Sequence, residues 1–249
     1  MLEQVRMVIR KRPWLRQRLL PLALEWGDLR FAYAKIKARP AKDEPALNGQ
    51  VRRRAALEAI IMATNPEEIV ETGTYRGATT AFLTQRFGLP VYSVEHNRYL
   101  CLYSKLRLLR HWRAHVRHGD SRALLRARQE LGARATFFYL DAHWGYDLPL
   151  RQEVTFILRH WREATICIDD FKVEDDLGYR FDRYRGSALT LEYLDLPDDA
   201  PVDIYWPAVR SGDETGLKRG GVFIALGERT RPAVASCSPT HLRLYLKGQ

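Results

Sequence analysis

From Val51 onward the apolar positions of the chain switch repeatedly between two spacings. Over 51–64 they recur at three- and four-residue intervals, with Ala55, Leu57, Ile60 and Ile61 largely on one side, and this predicts a helix that Asn65-Pro66 ends. Short apolar runs over 68–74, 91–95, 116–119, 136–141 and 165–169 predict strands. Helical spacing over 78–87, 99–112, 122–131 and 148–161 lies between them. Strands alternating with helices of about 10–15 residues imply right-handed βαβ crossovers and a parallel sheet covered on both faces. Past Asp170 the order loosens to a helix over 188–194 and two strands, 202–205 and 222–226, whose short connection suggests an antiparallel hairpin. Before Val51 the pattern differs. Leu2, Val5, Val8 and Ile9 recur at near-helical spacing, Pro13 interrupts them, and Leu15, Leu19, Leu20 and Leu22 continue around Pro21. A second helical stretch covers 29–38. The segment from Ala38 to Gly49, with Pro40 and Pro45, has the composition of a linker. The chain thus divides into a helical extension with linker over 1–49 and one α/β domain over 50–249.

Charge sharpens this division. Residues 1–54 hold 14 Lys/Arg against 5 Asp/Glu, whereas the other 195 residues hold 26 against 25. The basic character therefore belongs to the extension, which is read as a solvated helical face or as a peripheral contact with an anionic membrane through residues 1–40. Cys101, Cys167 and Cys237 are far apart, odd in number and outside any CxxC pattern, which argues against a disulfide framework or a zinc site. No apolar run approaches the roughly 18 residues of a membrane span. A cytoplasmic protein, at most membrane-peripheral, is expected.

The sharpest local signal is Val70-Glu71-Thr72-Gly73-Thr74-Tyr75-Arg76-Gly77, which leaves a strand and opens a helix. Glycines at such a junction let backbone approach a ligand, and the helix that follows offers free N–H groups to an anion. A ligand carboxylate fits there, with Thr79 and Thr80 as hydroxyl donors. A dinucleotide site calls for GxGxxG, and Gly73-x-x-x-Gly77 lacks it. Glu95 ends the next strand, 22 residues after Gly73, where a carboxylate can accept both ribose hydroxyls. His118-Gly119-Asp120-Ser121 closes the third strand, with Asp120 at the adenine side or as the cap of the next helix. Asp141 ends the fourth strand, and Asp169 and Asp170 end the fifth. Strands lie about 4.8 Å apart, so these acids can converge where an open α/β sheet binds ligands. Three carboxylates are hard oxygen donors suited to Mg²⁺, Mn²⁺ or Ca²⁺.

Residues from about 51 to 227 resemble the class I S-adenosylmethionine-dependent methyltransferases, and in motif detail the metal-dependent O-methyltransferases of catechol and natural-product tailoring. Glu71, Gly73, Tyr75 and Gly77 match that family's Glu-x-Gly-x-Tyr-x-Gly turn around the methionine end. Glu95 matches its ribose-binding acid and Ser121 its adenine-side residue. Thr74, Thr79, Asp120 and Asp141 complete the expected cofactor set. The resemblance implies a Rossmann-like fold with a mostly parallel seven-stranded sheet and an antiparallel last strand. It also implies a divalent cation, Mg²⁺ or another, on Asp141, Asp169 and Asp170. The family's usual lysine base is absent from Asp141-Ala142-His143-Trp144-Gly145, so His143 becomes the candidate base, with Asp141 beside it. That departure moves the expected acceptor from a catechol towards the hydroxyl of another small molecule, such as a sugar or polyketide.

Two other functions compete. A nucleic-acid methyltransferase would suit the basic extension, but base N-methylation in this fold usually employs an Asn/Asp-Pro-Pro-aromatic turn where this chain reads Asp141-Ala142-His143-Trp144. A non-catalytic membrane-surface or partner-binding protein on a degenerate body is countered by the intact set of acids. The polar loop from Lys172 to Gly186, carrying Tyr179, Phe181 and Tyr184, is either a lid beside the acids or an excursion whose aromatics pack locally.

Overall fold

Burial along each central strand explains how the sheet is covered. The computed structural model describes residues 45–142, 147–184, 186–197 and 199–245. The helical extension over 1–38, most of the linker, His143 and Trp144 lie outside these residues. In chain order the elements are α1 (Val51–Thr64), β1 (Glu68–Thr72), α2 (Ala78–Phe87), β2 (Val91–Glu95), α3 (Arg98–Arg107), β3 (Ala114–His118) and α4 (Ser121–Arg126). Then come β4 (Thr136–Leu140), α5 (Leu150–His160), β5 (Ala164–Asp169), a paired β6 (Arg183–Tyr184) and β7 (Ser187–Ala188), and α6 (Leu191–Leu194). β8 (Val202–Pro207), β9 (Gly221–Leu226), α7 (Thr230–Ala235) and β10 (Leu242–Leu244) complete the series. Side chains of a strand alternate between faces. Ile69, Phe137, Tyr139 and Cys167 accordingly join Leu57, Ile60 and Leu83 on one side. Val70, Phe138, Leu140, Ile166 and Ile168 join Leu125, Leu150, Val154 and Ile157 on the other. Both faces are dry, which is why these strands read as continuous apolar runs.

The sheet has eight strands in the order β10-β8-β9-β5-β4-β1-β2-β3. β1 to β5 run parallel, and β9 is antiparallel to both β5 and β8. The antiparallel hairpin near the end is as the sequence predicts. The strand count is not: β10 adds an eighth strand, antiparallel to β8, at the edge. Its three residues, Leu-Arg-Leu, are too short to carry a period of their own, and they pair only because β8 presents an edge. α3 ends at Arg107 rather than Trp112, and α4 ends at Arg126, with a 3-10 turn over Gln129–Leu131.

Strand order reverses between β1 and β4, so a crevice opens beyond their carboxyl ends. The two strand ends cross closely there. The amide of Asp141 donates to the Thr72 carbonyl at 2.9 Å. A Cβ on Gly73, whose φ is +85°, would lie 2.3 Å from the Asp141 carbonyl oxygen. Only glycine fits this crossing.

Residues 46–49, within the segment that composition assigns to the linker, pack against the domain. Leu47 is buried, and a 3-10 turn over Ala46–Gly49 leads directly into α1. The first amides of α1 are capped from far along the chain: Glu214 accepts from Arg52 N at 3.0 Å and from Arg53 N at 2.9 Å. A carboxylate on a helix N-terminus satisfies free donors and complements the dipole.

Candidate active site

The crevice contains a cavity of about 560 Å³, a size suited to a nucleoside-containing ligand. Gly73, Tyr75, Glu95, Leu100, Ser121 and Asp141 are among its walls. Glu95 organises one side. Its Oε2 accepts from Tyr75 N and its Oε1 from Asn97 N, both at 2.7 Å. A carboxylate has about four acceptor positions, so each oxygen retains capacity for a ligand hydroxyl. Tyr75 takes a positive φ of 47° to bring its amide there, which couples the glycine turn to the end of β2.

Beneath the turn lies Glu71, 1% exposed. Its Oε2 accepts from Thr80 Oγ1 at 2.5 Å and Ser93 Oγ at 2.6 Å, and Ser93 Oγ lies 2.5 Å from Thr74 Oγ1. Its Oε1 is buried and has no hydrogen-bond partner among the described residues. Burial pushes the carboxyl up to about 7, against the lowering effect of the two hydroxyls and with a further push from Glu95. A buried oxygen left without a donor is costly, so this atom marks where a donor on a ligand is expected.

Asp120 lines the cavity and also caps the next helix, whereas Thr79 faces the incoming turn. Asp120 caps α4 through Arg122 N at 2.7 Å and is bound by the Arg122 guanidinium, which holds its carboxyl down at about 2. Arg122 also reaches Asp147, so this clasp shapes one wall of the cavity. Thr79 accepts from Leu47 N at 3.4 Å and supports the incoming turn, not the cavity. Thr74 is spent on Ser93, and Ser121 lines the cavity.

The acids at the ends of β4 and β5 are joined by residues that sequence inspection missed. Asp169 is buried and accepts at Oδ1 from Arg53 Nη1 and from Asp170 N at 2.8 Å. At Oδ2 it accepts from Tyr139 Oη at 2.5 Å and from Asn48 Nδ2 at 3.1 Å. Burial alone would lower the Arg53 pKa, but the Asp169 charge more than offsets it and holds the guanidinium ionised. Asp170 is paired with Arg219, whose guanidinium also binds Asp182, and Tyr184 Oη donates to Asp182 at 2.6 Å. Asp141 stands at the cavity rim. Burial, followed by the charges of Asp169, Asp170 and Glu71, raises its carboxyl well above the usual range.

This donor set does not fit a divalent cation. Among the described residues, no three His, Cys, Asp or Glu side chains gather closely enough to hold one. The expected cage of Asp141, Asp169 and Asp170 is therefore replaced by arginine–carboxylate pairs. Arg53 could not be told apart from its neighbours in the run Arg52-Arg53-Arg54, which reads as a solvated basic face; Arg52 and Arg54 are exposed and Arg53 is not. No local signal marks Asn48 or Arg219.

The loop after Asp170 is tied down. Asp182 N donates to the Asp170 carbonyl at 2.9 Å, Arg180 N to the Lys218 carbonyl at 2.8 Å, and the buried Tyr179 donates its hydroxyl to the Val209 carbonyl at 2.9 Å. Tyr179 joins the main core, and among the described residues of the loop Asp182 and Tyr184 reach towards the acids.

No model of a known protein family matches the chain, and no curated protein matches it. Solved structures do share its fold. A candidate O-methyltransferase from Klebsiella pneumoniae gives a TM-score of 0.53 at 17% identity, over 87% of this chain and 95% of that one. An O-methyltransferase from Bacillus cereus, solved in complex with SAH, gives 0.50 at 16% identity over 80% and 90%. A SAH-bound methyltransferase from Podospora anserina gives 0.51 at 17% identity over 80% and 87%. The chain has the Rossmann-like fold of class I methyltransferases.

Proposed function

We propose that this protein is an S-adenosylmethionine-dependent methyltransferase that modifies a hydroxyl on a small molecule or sugar. The observation that carries this reading is the acidic character of the cofactor cavity. A dinucleotide in this fold sets its pyrophosphate against the first strand-to-helix turn, but here that turn is flanked by Glu71, Glu95 and Asp141. In their ionised form these carboxylates repel a pyrophosphate and attract a cation. S-adenosylmethionine carries an ammonium and a sulfonium, and it supplies a methyl group made electrophilic by the positive sulfur.

The residues divide the work by position. Glu95 keeps one acceptor position on each oxygen for the ribose hydroxyls. Glu71 Oε1 receives the ammonium, and the free amides at the start of α2, ten residues long, face the methionine carboxylate. Ser121 and Leu100 flank the base. Asp141, with its raised pKa, accepts the proton from the acceptor hydroxyl at its carboxylate oxygen, and His143 is the second candidate for that proton. In-line attack needs the acceptor oxygen held behind the methyl, so positioning supplies much of the rate.

The reading is tested with methyl-labelled S-adenosylmethionine, the full chain and separate pools of small hydroxylated metabolites and nucleic acid. Label is expected in a small-molecule ether. Label confined to nucleic acid would replace this proposal with its competitor.

A further inference from the structure

We infer that Arg53 and Arg219 are built-in counter-ions that take the place of a divalent cation, and that the protein binds no Mg²⁺ or Mn²⁺ at the ends of β4 and β5. The first argument is acceptor capacity. Asp169 receives four hydrogen bonds, from Arg53, the Asp170 amide, Tyr139 and Asn48. Four is about the number of lone-pair positions an ionised carboxylate has, so no position remains for a metal. The second argument is charge. Arg53 is buried beside Asp169 and also donates to the Arg219 carbonyl. A guanidinium cannot shed its proton within a protein, so a dication arriving there would meet a fixed positive charge inside the domain.

The third argument is anchorage, because a displaceable arginine would exclude nothing. Arg53 sits in the first turn of α1, whose amides are held by the buried Glu214. The preceding Gln50 forms a two-way pair with Arg219, accepting from Arg219 N at 2.7 Å and donating to the Arg219 carbonyl at 3.0 Å. Arg219 is then clamped between Asp170 and Asp182. The two arginines and the three acids Asp169, Asp170 and Asp182 thus form one interlocked unit. It draws on the turn over 46–49, the start of α1, the end of β5 and the approach to β9. Arg53 and Arg219 are positioning residues: they set the acids and, through Asp182 and Tyr184, the loop beside the transfer site. The consequence for catalysis rests on the methyltransferase reading. The test involves neither cofactor nor acceptor, so either can fail alone.

Free Mn²⁺ is followed by electron paramagnetic resonance as the full-length protein is titrated, in wild type, Arg53→Met, Arg219→Met and Arg219→Lys. Wild type and Arg219→Lys are expected to leave the free Mn²⁺ signal unchanged. At least one Met variant is expected to bind Mn²⁺ about tenfold or more tighter, because an acid position and its charge are released. Arg219 is more exposed than Arg53, so its replacement is expected to cost less stability, and circular dichroism identifies which Met variants are folded. Saturable one-site binding by wild type that Asp169→Asn removes would overturn the inference. So would the absence of any gain in a folded Met variant, since the arginines would then not be what excludes the metal.

Discussion

The two sides of the switch point are built on opposite plans. On the β1–β2–β3 side, Gly73, Glu95 and Ser121 surround open space, Glu95 keeps spare acceptor capacity and Glu71 keeps a buried oxygen without a donor. On the β4–β5–β9 side, Asp169 and Asp170 are satisfied by Arg53, Arg219, Tyr139 and Asn48. One half is arranged around a cavity, and the other is closed upon itself. On the proposed function, binding energy comes from the first half, and rigidity from the second. The contrast also explains why an acidic cleft is tolerated: the interior arginines offset part of the repulsion among its carboxylates.

The contrast can be broken most severely at Arg53. Arg53→Met leaves Asp169 buried without its counter-charge, and breaking such a pair typically costs about 3–5 kcal/mol. Urea unfolding should show this loss, while Arg54→Met, one residue on and exposed, stays within about 0.5 kcal/mol of wild type. Equal effects would mean that the closed half is not held by this pair. A smaller effect is expected at the crossing of the two halves. Gly73→Ala puts a methyl against the Asp141 carbonyl at a positive φ, and strain of this kind is of order 1–3 kcal/mol. It should lower both stability and affinity for S-adenosylhomocysteine.

A gentler probe sharpens the open half. In the free protein Glu71 keeps its proton up to about pH 7, whereas in the unfolded chain it loses it near 4.5. The folded state thus holds the extra proton between these values, and this group's contribution to stability falls as pH rises through that window. An ammonium at Oε1 needs the ionised form, so ligand affinity should rise with pH and level off above about 7. From about pH 5.5 to the plateau the gain is roughly thirtyfold, from one proton per binding event. Calorimetry of Glu71→Gln over the same range should lose this dependence.

How much of this could be read from the sequence follows the same division. The open half was legible because its signals are contiguous: a strand, a glycine turn and a helix carry Glu71 to Gly77 together, and Glu95 falls at the end of the next strand. The order of helices and strands from 51 to 169 followed from spacing, since the central strands β1, β4 and β5 are buried on both faces, whereas the ends of α3 and α4 did not. The closed half was legible only as three acids. Their partners come from 116 residues away for Arg53 and 121 for Asn48, and tertiary packing alone brings them together. The eighth strand escaped notice because three residues cannot display a period. The linker ran too far because Pro45 and Gly49, which composition marks as loop, form a turn that Leu47 nails into the core.

The central claim is that the open half binds an adenosyl-methionine ligand through an acidic cavity. Isothermal titration of the full chain with S-adenosylhomocysteine and, separately, with NAD tests it most directly, in wild type and in Glu95→Ala. One-to-one binding of S-adenosylhomocysteine is predicted, with NAD far weaker. Glu95→Ala should lose about 1.5–3 kcal/mol, the value of hydrogen bonds to a charged group. Equal affinity for the two ligands, or binding of S-adenosylhomocysteine that Glu95→Ala leaves unchanged, would contradict it.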